Sequence, residues 1–567
     1  MNTPNKLTQT DIKALLLFIA FTLLYLLPGV YGHTPWKQDE NYSFGMIHTM
    51  YETGNWLVTM NAGQPFMEKP PLYYWTAASF IHLLSPWLPM HDAARTASLF
   101  FSVINFSFFI LLARRVFDVK NFTDHRIWIA FALYASAPGL VRHSHDMFTD
   151  TALMTGTTIG LYGLLGLIKN EKTAYSCLWL IIGTAVTLLS KGVFIPGLLW
   201  CCLILAPIFL KHCRTRQYWL NALFSGIIAL VLILPWPMML LIEHPDLFKI
   251  WLWDNNIGRF LGFSVDDLGA RGNLTMIPEA VLLFALPSGI LAFIFILTNP
   301  IKILSDKHYF LCAAFVVLGV VLLQISASGR ALYLLPFIAP MAILATGIFI
   351  KIPQIAHKYF TLFSSLFWSA LILFLWTCYF LSLSPDYKHW LTPFSRWLPM
   401  DYQMHFSGFI VVIAALITMV WIAKNCLLAK SPALRAAQTW VLGIATVWGL
   451  VFTLFVGWID YTKGYKGTFL DLKQKLADVY KDNDCMASYY IGESEAPMLY
   501  YFAQVLHQQQ SQFETPEKCD WLIVLSEEIA PAPEGMALFW HGHRPNRDRE
   551  NLVVYRKVAL GDVKNNQ

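Results

Sequence analysis

The sequence predicts a multi-pass α-helical membrane protein closed by a small α/β C-terminal domain. Two observations carry the membrane part. Of 567 residues, 56% are hydrophobic and only 14% charged, more apolar surface than a soluble core of ~250–300 residues can hide. Uncharged runs of about 18 residues or more also recur along the chain, the length that crosses a bilayer. The third observation is where the runs stop: beyond residue 457 the pattern mixes helix and strand periods. Helices near 466–481 and 494–509 alternate there with strands near 485–490, 520–525 and 551–558.

About thirteen spans are expected, at 13–31, 92–112, 126–142, 151–168, 174–190, 193–210, 218–241, 276–297, 308–325, 332–350, 360–383, 406–424 and 437–457. The first is too long for a signal-peptide core and has no small-residue cleavage site, so it reads as a retained span. Segment 72–88 is short and broken by Pro86 and Pro89, and Pro70 and Pro71 precede it. It reads as an interfacial helix. With that choice the short loops holding Arg114, Arg115 and Lys120, Lys169 and Lys172, Lys211 and Arg214, and Lys351 and Lys358 share the side of the N-terminus, as positive-inside placement requires. The N-terminus is then cytoplasmic. Residues 1–457 form the membrane domain, with an external loop at 32–91, and 458–567 form an external domain. Both external parts are periplasmic if the membrane is a Gram-negative inner membrane. The net charge of +5 comes with no basic stripe interleaved with aromatics, which argues against a nucleic-acid partner.

Ionisable groups at a membrane boundary are costly and usually functional, and in this topology they gather on the external side. The first loop carries Asp39, Glu68 and Lys69. The next external turn carries His143, His145, Asp146 and Asp150, and Lys191, Arg259, Arg330 and Tyr333 follow. Singly, each has a plain reading, as a solvated carboxylate, a snorkelling lysine or a headgroup contact. Together they offer cations that hold a phosphate and carboxylates that handle a proton or a developing positive charge. His143 and His145, with the two aspartates, are also suitable ligands for a divalent metal. Their spacing is not that of a closed zinc site, and interfacial histidines are the alternative. Cys485 and Cys519 stand alone in the C-terminal domain, either as a disulfide or as two buried thiols.

These residues resemble the polyprenyl-phosphate-dependent GT-C glycosyltransferases, in particular the bacterial aminoarabinose transferase and protein mannosyltransferase branch. The resemblance is carried by Gln38-Asp39-Glu40-Asn41-Tyr42, Gly54-Asn55-Trp56-Leu57-Val58 and Phe66-Met67-Glu68-Lys69-Pro70-Pro71-Leu72-Tyr73-Tyr74-Trp75. Weaker likenesses lie at Arg95, Thr149-Asp150, Leu189-Ser190-Lys191-Gly192, Arg259-Phe260, and Ser328-Gly329-Arg330 through Pro336. The resemblance implies a GT-C-like membrane domain and transfer of a sugar from an undecaprenyl-phosphate-linked donor to an acceptor outside the membrane. It implies that Asp39 is the essential first-loop acid, that Glu68 and Lys69 shape the site, and that Asp150, or its rival Asp146, is the second acid. Lys191, Arg259 and Arg330 would hold phosphate, and Tyr333 would line the cavity. The stretch Gly262–Gly272 departs from the family pattern and is expected to set the acceptor.

A lipid A phosphate needs no general base, and no extra sugar-binding domain is inserted, so 4-amino-4-deoxy-L-arabinose transfer to lipid A is the favoured expectation. A protein O-mannosyltransferase-like enzyme and another glycolipid transferase are the alternatives. A secondary transporter is the non-enzyme rival, but the sequence shows none of the internal repeats that such a protein would carry. An undecaprenyl-linked oligosaccharide polymerase or ligase is argued against by the Glu68-Lys69-Pro70-Pro71 segment. A membrane scaffold would leave the clustered acids without a purpose.

Overall fold

The computed structural model describes residues 8–37, 39–264, 273–384, 386–394, 399–481, 483–545, 547 and 549–558. Gln38 and most of the expected acceptor-setting stretch (265–272) lie outside the described residues.

Helix α1 (Gln9–Leu26) opens on a capping box, with Thr8 accepting from the Asp11 N–H and the Asp11 carboxylate returning to the Thr8 N–H. The first external loop folds into α2 (Asp39–Thr53), a short hairpin β1–β2 (Met60–Asn61, Gln64–Pro65) and α3 (Leu72–Leu84). At 13 residues, α3 packs against α2 and α4 (Met90–Phe117). The chain continues through α5 (His125–Ala135), α6 (Pro138–His143), α7 (Asp150–Ile168), α8 (Thr173–Lys191) and α9 (Phe194–Phe209).

The centre of the membrane domain is α7, apolar on all sides and completely buried, as an all-round apolar helix inside a bundle should be. It packs most extensively against α8. Glycines make that approach possible. A Cβ on Gly163 would strike the Leu180 backbone, and one on Gly183 would strike Gly160, the small-residue seam by which membrane helices bring backbones together. The outer helices Arg216–Ile233 and Gln354–Ser382 turn most of their surface outward instead, with only 28% and 17% of their apolar windows buried.

Among the described residues, eight helices are long and apolar enough to cross a bilayer. Two expected spans differ from straight helices. The 276–297 element bends by 106° between Met276–Phe284 and Ser288–Thr298, because Pro287 has no N–H with which to continue the first piece. The 126–142 element breaks between α5 and α6 ahead of Pro138, where the residue before a proline leaves the α region. Phe194–Phe209, Phe310–Ile325 and Gly408–Ile422 are apolar but shorter helices. The chain is a multi-pass membrane protein.

The C-terminal part carries a helix at Lys466–Leu476 and a five-stranded sheet in the order β4-β3-β5-β7-β6. Strand β3 (Met486–Tyr489) runs parallel to β4 (His507–Gln509) and β5 (Trp521–Ser526), while β7 (Asn551–Lys557) is antiparallel to β5 and to β6 (Met536–Gly542). Two sequence expectations are corrected here. The helix expected over 494–509 stops at Ala503, where Gln504 turns to φ +60°, and 507–509 is an edge strand. Strand β6 was not expected, because its apolar residues do not alternate cleanly. Cys485 and Cys519 are joined in a disulfide. This sheet does not hang apart from the membrane domain: one apolar core joins Tyr42, Phe44 and Tyr74 to Phe469, Leu499 and Ile523.

Candidate active site

The first loop is anchored from below by a buried guanidinium. Arg95, fully buried on α4, donates to the Glu40 carboxylate at 2.9 Å, to Asp92 at 2.9 Å and to the carbonyls of Val30 and His33. The same Glu40 carboxylate accepts from the Met147 N–H at 3.0 Å. This network ties the start of α2 to the turn before α7. Removing one member would strand the others without partners in a dry interior, a loss of ~3–5 kcal/mol. Asp39 is the first residue of α2, where the helix dipole favours an acid.

Above this anchor lies a cavity of ≈ 150 Å³ whose lining includes Asp39, Tyr42, Glu68, Lys69, Lys191, Arg259, Arg330 and Tyr333. Seven of the residues singled out in the sequence thus meet around one space, drawn from segments up to 291 residues apart (Asp39 to Arg330). Pro70-Pro71 stop the chain from entering α3 early, which leaves Glu68 and Lys69 on the loop that rims the cavity. Lys69 donates to the Tyr42 hydroxyl at 2.7 Å, and that hydroxyl donates to Asp39 at 3.2 Å. Glu68 accepts from Arg259 at 2.6 Å and lies 3.9 Å from Lys69. Burial alone would raise the Glu68 carboxyl, but Lys69 and Arg259 outweigh it and hold the group down at about 2. Arg259 reaches Glu68 because its segment is pinned to the first loop: the Trp236 indole donates to the Leu57 carbonyl at 3.0 Å, and Asn255 to the Met67 carbonyl at 3.3 Å.

The α7–α8 pair supplies a second couple. Asp150 opens α7 and Lys191 closes α8, so each sits at the helix end its charge prefers. The glycine seam lets them meet, and both Asp150 oxygens accept from Lys191, at 2.5 and 2.6 Å. Asp150 is fully buried, while the Lys191 side chain keeps 17% exposure and lies 4.7 Å from the Tyr333 ring centre. Gly192 follows at φ +99°, and a Cβ there would strike the Asn256 side chain. Asp150 therefore holds Lys191, and Lys191 faces the cavity. Arg330 is exposed, and among the described residues its guanidinium has no side-chain partner.

The remaining sequence candidates lie elsewhere. Asp146, half-buried, accepts from His143 at 2.8 Å and does not line the cavity. The His145 ring nitrogens lie 3.0 Å from the Val141 carbonyl and 2.7 Å from that of Tyr25, and its ring stacks on Trp448 at 4.8 Å. Those contacts are structural. Among the described residues no three His, Cys, Asp or Glu side chains come together as a metal group. Sequence reasoning missed Glu493. Asn61 donates to its backbone carbonyl at 3.0 Å. Burial, then the negative charges of Glu68 and Asp39, push its carboxyl up, and Glu493 does not itself line the cavity. A lone glutamate in an α/β loop carries no sequence signal.

Fold and site together describe a multi-pass helical membrane protein with a charged chamber at one end of its helix bundle. Its fold is that of ArnT from Cupriavidus metallidurans, solved with bound undecaprenyl phosphate. That structure matches with a TM-score of 0.66 over 96% of this chain and 98% of that one, at 14% identity. The apo form of the same protein gives 0.67. In sequence, the undecaprenyl phosphate-alpha-4-amino-4-deoxy-L-arabinose arabinosyl transferase of Pseudomonas savastanoi pv. phaseolicola is 25% identical over 252 residues, 44% of this chain and 45% of the relative. Its namesake from Pectobacterium atrosepticum is 23% identical over 350 residues, 59% of each chain. The matched stretch thus spans less than half of the first relative's length. No protein-family model matches the chain.

Proposed function

We propose that this chain is an inner-membrane glycosyltransferase that moves 4-amino-4-deoxy-L-arabinose from undecaprenyl phosphate to a lipid A phosphate on the periplasmic side. The observation that carries the reading is the chamber itself. Lys191 and Arg259 are each held by a buried or half-buried acid, Arg330 has no side-chain partner among the described residues, and Asp39 lines the same cavity. The relatives' names support the choice of sugar and carrier, and the basic loops at the opposite end support the orientation.

In this reading the donor phosphate rests against Lys69, Lys191 and Arg330, which neutralise the charge left on undecaprenyl phosphate as its bond to the anomeric carbon breaks. A lipid A phosphate oxygen, already anionic, forms the new bond to that carbon, so no proton has to be removed. Asp39 faces the positive charge that develops on the ring, and its hydrogen bond from Tyr42 fixes its direction. Asp150 and Glu68 act as positioning residues for Lys191 and Arg259.

The reading is tested in a strain lacking its own aminoarabinose transferase but still making the donor. Wild type is expected to restore the mass increment on lipid A and survival in polymyxin, and Asp39→Ala and Lys69→Ala at matched expression to restore neither. A folded wild-type protein that leaves lipid A unchanged refutes the acceptor or the sugar.

A further inference from the structure

The C-terminal domain carries a second crevice, of ≈ 580 Å³, lined by Tyr489, Tyr490, Phe513, Glu527, Arg549 and Glu550 among others. That is a size typical of small-molecule sites, ~300–1,000 Å³. It opens where the parallel strands β3 and β5 end, the edge of an α/β sheet at which ligands collect. Its wall is aromatic. The Tyr489 and Tyr490 rings lie 4.2 Å apart, and Phe513 is 5.8 Å from Tyr489. Tyr490 is 67% exposed and held at φ +58°, an unusual backbone setting for a bulky side chain and of the kind that clusters at ligand sites. Its rim is polar, with Glu527 and Arg549 both exposed. Flat rings beside hydrogen-bonding groups suit a pyranose, whose C–H face stacks on an aromatic ring while its hydroxyls reach the rim. The guanidinium adds a place for an anion.

The crevice is tied to the chamber twice. Tyr490 and Glu493 are three residues apart, so a link no longer than roughly 10 Å joins the aromatic wall to the residue whose backbone carbonyl accepts from Asn61 of the first external loop. Glu550, on the crevice lining, lies 3.4 Å from Lys37, which also lies 2.8 Å from Glu495. Lys37 in turn precedes Asp39 by two residues.

We infer that this crevice is a saccharide subsite that seats the sugar part of an anionic glycolipid acceptor, with Tyr490 and Phe513 stacking on the ring and Arg549 meeting its phosphate. The inference rests on the glycolipid-acceptor reading above and names where that acceptor is gripped. The grip lies beyond the chamber, which would leave the acceptor's reacting phosphate free to enter it.

The test uses full-length protein in phosphatidylcholine nanodiscs, free of sugar-headed detergent, and the acyl-free glucosamine disaccharide bisphosphate as probe. Wild type is expected to bind it. Tyr490→Ala and Phe513→Ala are expected to bind at least tenfold more weakly, while Tyr490→Trp, which restores a ring, stays within about threefold of wild type. Arg549→Gln is expected to weaken the bisphosphate but not the dephosphorylated disaccharide. In turnover with lipid A, Tyr490→Ala should raise KM and leave kcat in place. No probe binding by wild type, or equal binding by wild type, Tyr490→Ala and Phe513→Ala, overturns the subsite. The lipid A mass increment made by wild type is read separately: its presence beside unchanged Tyr490→Ala binding sinks the subsite alone. Its absence sinks the acceptor reading, whatever the crevice binds.

Discussion

The two ends of the helix bundle are both charged, and the contrast between them shows what makes charge into a site. At the end opposite the chamber, Lys169 lies 2.9 Å from both Asp118 and Glu171, and Arg115 lies 3.4 Å from Glu171. Those acids stay largely exposed, so the pairs are solvated and weak. At the chamber end the geometry is reversed in the Asp150–Lys191 pair, whose acid is fully buried behind a cation that lines a cavity, while Glu68 and Arg259 line that cavity about equally exposed, at 20% and 18%. An ion pair that faces water closes a loop; one whose acid is withdrawn behind the cation aims that cation at a ligand.

The largest effect expected from this comparison is at Asp39, where Asp39→Ala should lower the transfer rate by at least about 10³-fold. Lys191→Ala comes next, at ~10²–10³-fold, because it removes a cation and strands a buried acid. The matching change at the other end, Lys169→Ala, should leave the rate within about twofold; a drop as large as that of Lys191→Ala would erase the distinction. Donor-consumption kinetics on purified variants read all three. Glu68→Gln should cost about 10–100-fold by freeing Arg259 to move, and Glu68→Asp should recover less than the whole.

Glu68 also predicts a pH signature. Its carboxyl is held at about 2, below the ordinary glutamate value of 4.5, so the folded state favours the charged form. The stability this gives is complete above about 4.5 and is lost as pH falls from there toward 2. Thermal denaturation should show wild type losing Tm over that window more steeply than Glu68→Gln. The disulfide bears on stability more than on turnover: Cys485→Ser with Cys519→Ser should destabilise the C-terminal sheet by about 3–4 kcal/mol yet leave the chamber chemistry close to wild type.

Much of the fold was legible because membrane insertion writes itself in long apolar runs, and the chamber residues were legible because charges at such boundaries are rare. What was hidden depended on contacts between distant segments. The i, i+4 aspartates Asp146 and Asp150 look alike in sequence. Only the glycine seam between α7 and α8, which delivers Lys191 to Asp150, separates them, while His143 takes Asp146 from three residues away. The histidines invited a metal reading because imidazole chemistry is visible in sequence and the carbonyls that surround His145 are not. Glu493 and the aromatic crevice were invisible for the same reason: their meaning comes from the sheet order and from the loop that brings them over the first external loop. Pro287 and Pro138 are visible in the sequence, but whether a proline inside an apolar run bends or breaks a helix depends on the packing around it.

The central claim is that the chamber transfers a sugar from undecaprenyl phosphate, and its most direct test is donor consumption by the purified full-length protein. Undecaprenyl phosphate-linked 4-amino-4-deoxy-L-arabinose and lipid A are supplied together, and release of undecaprenyl phosphate is followed by mass spectrometry. The account predicts release that requires lipid A and falls at least about 10³-fold in Asp39→Ala, with Lys169→Ala close to wild type. Release unchanged in Asp39→Ala, or no release by a folded wild-type protein, would contradict it.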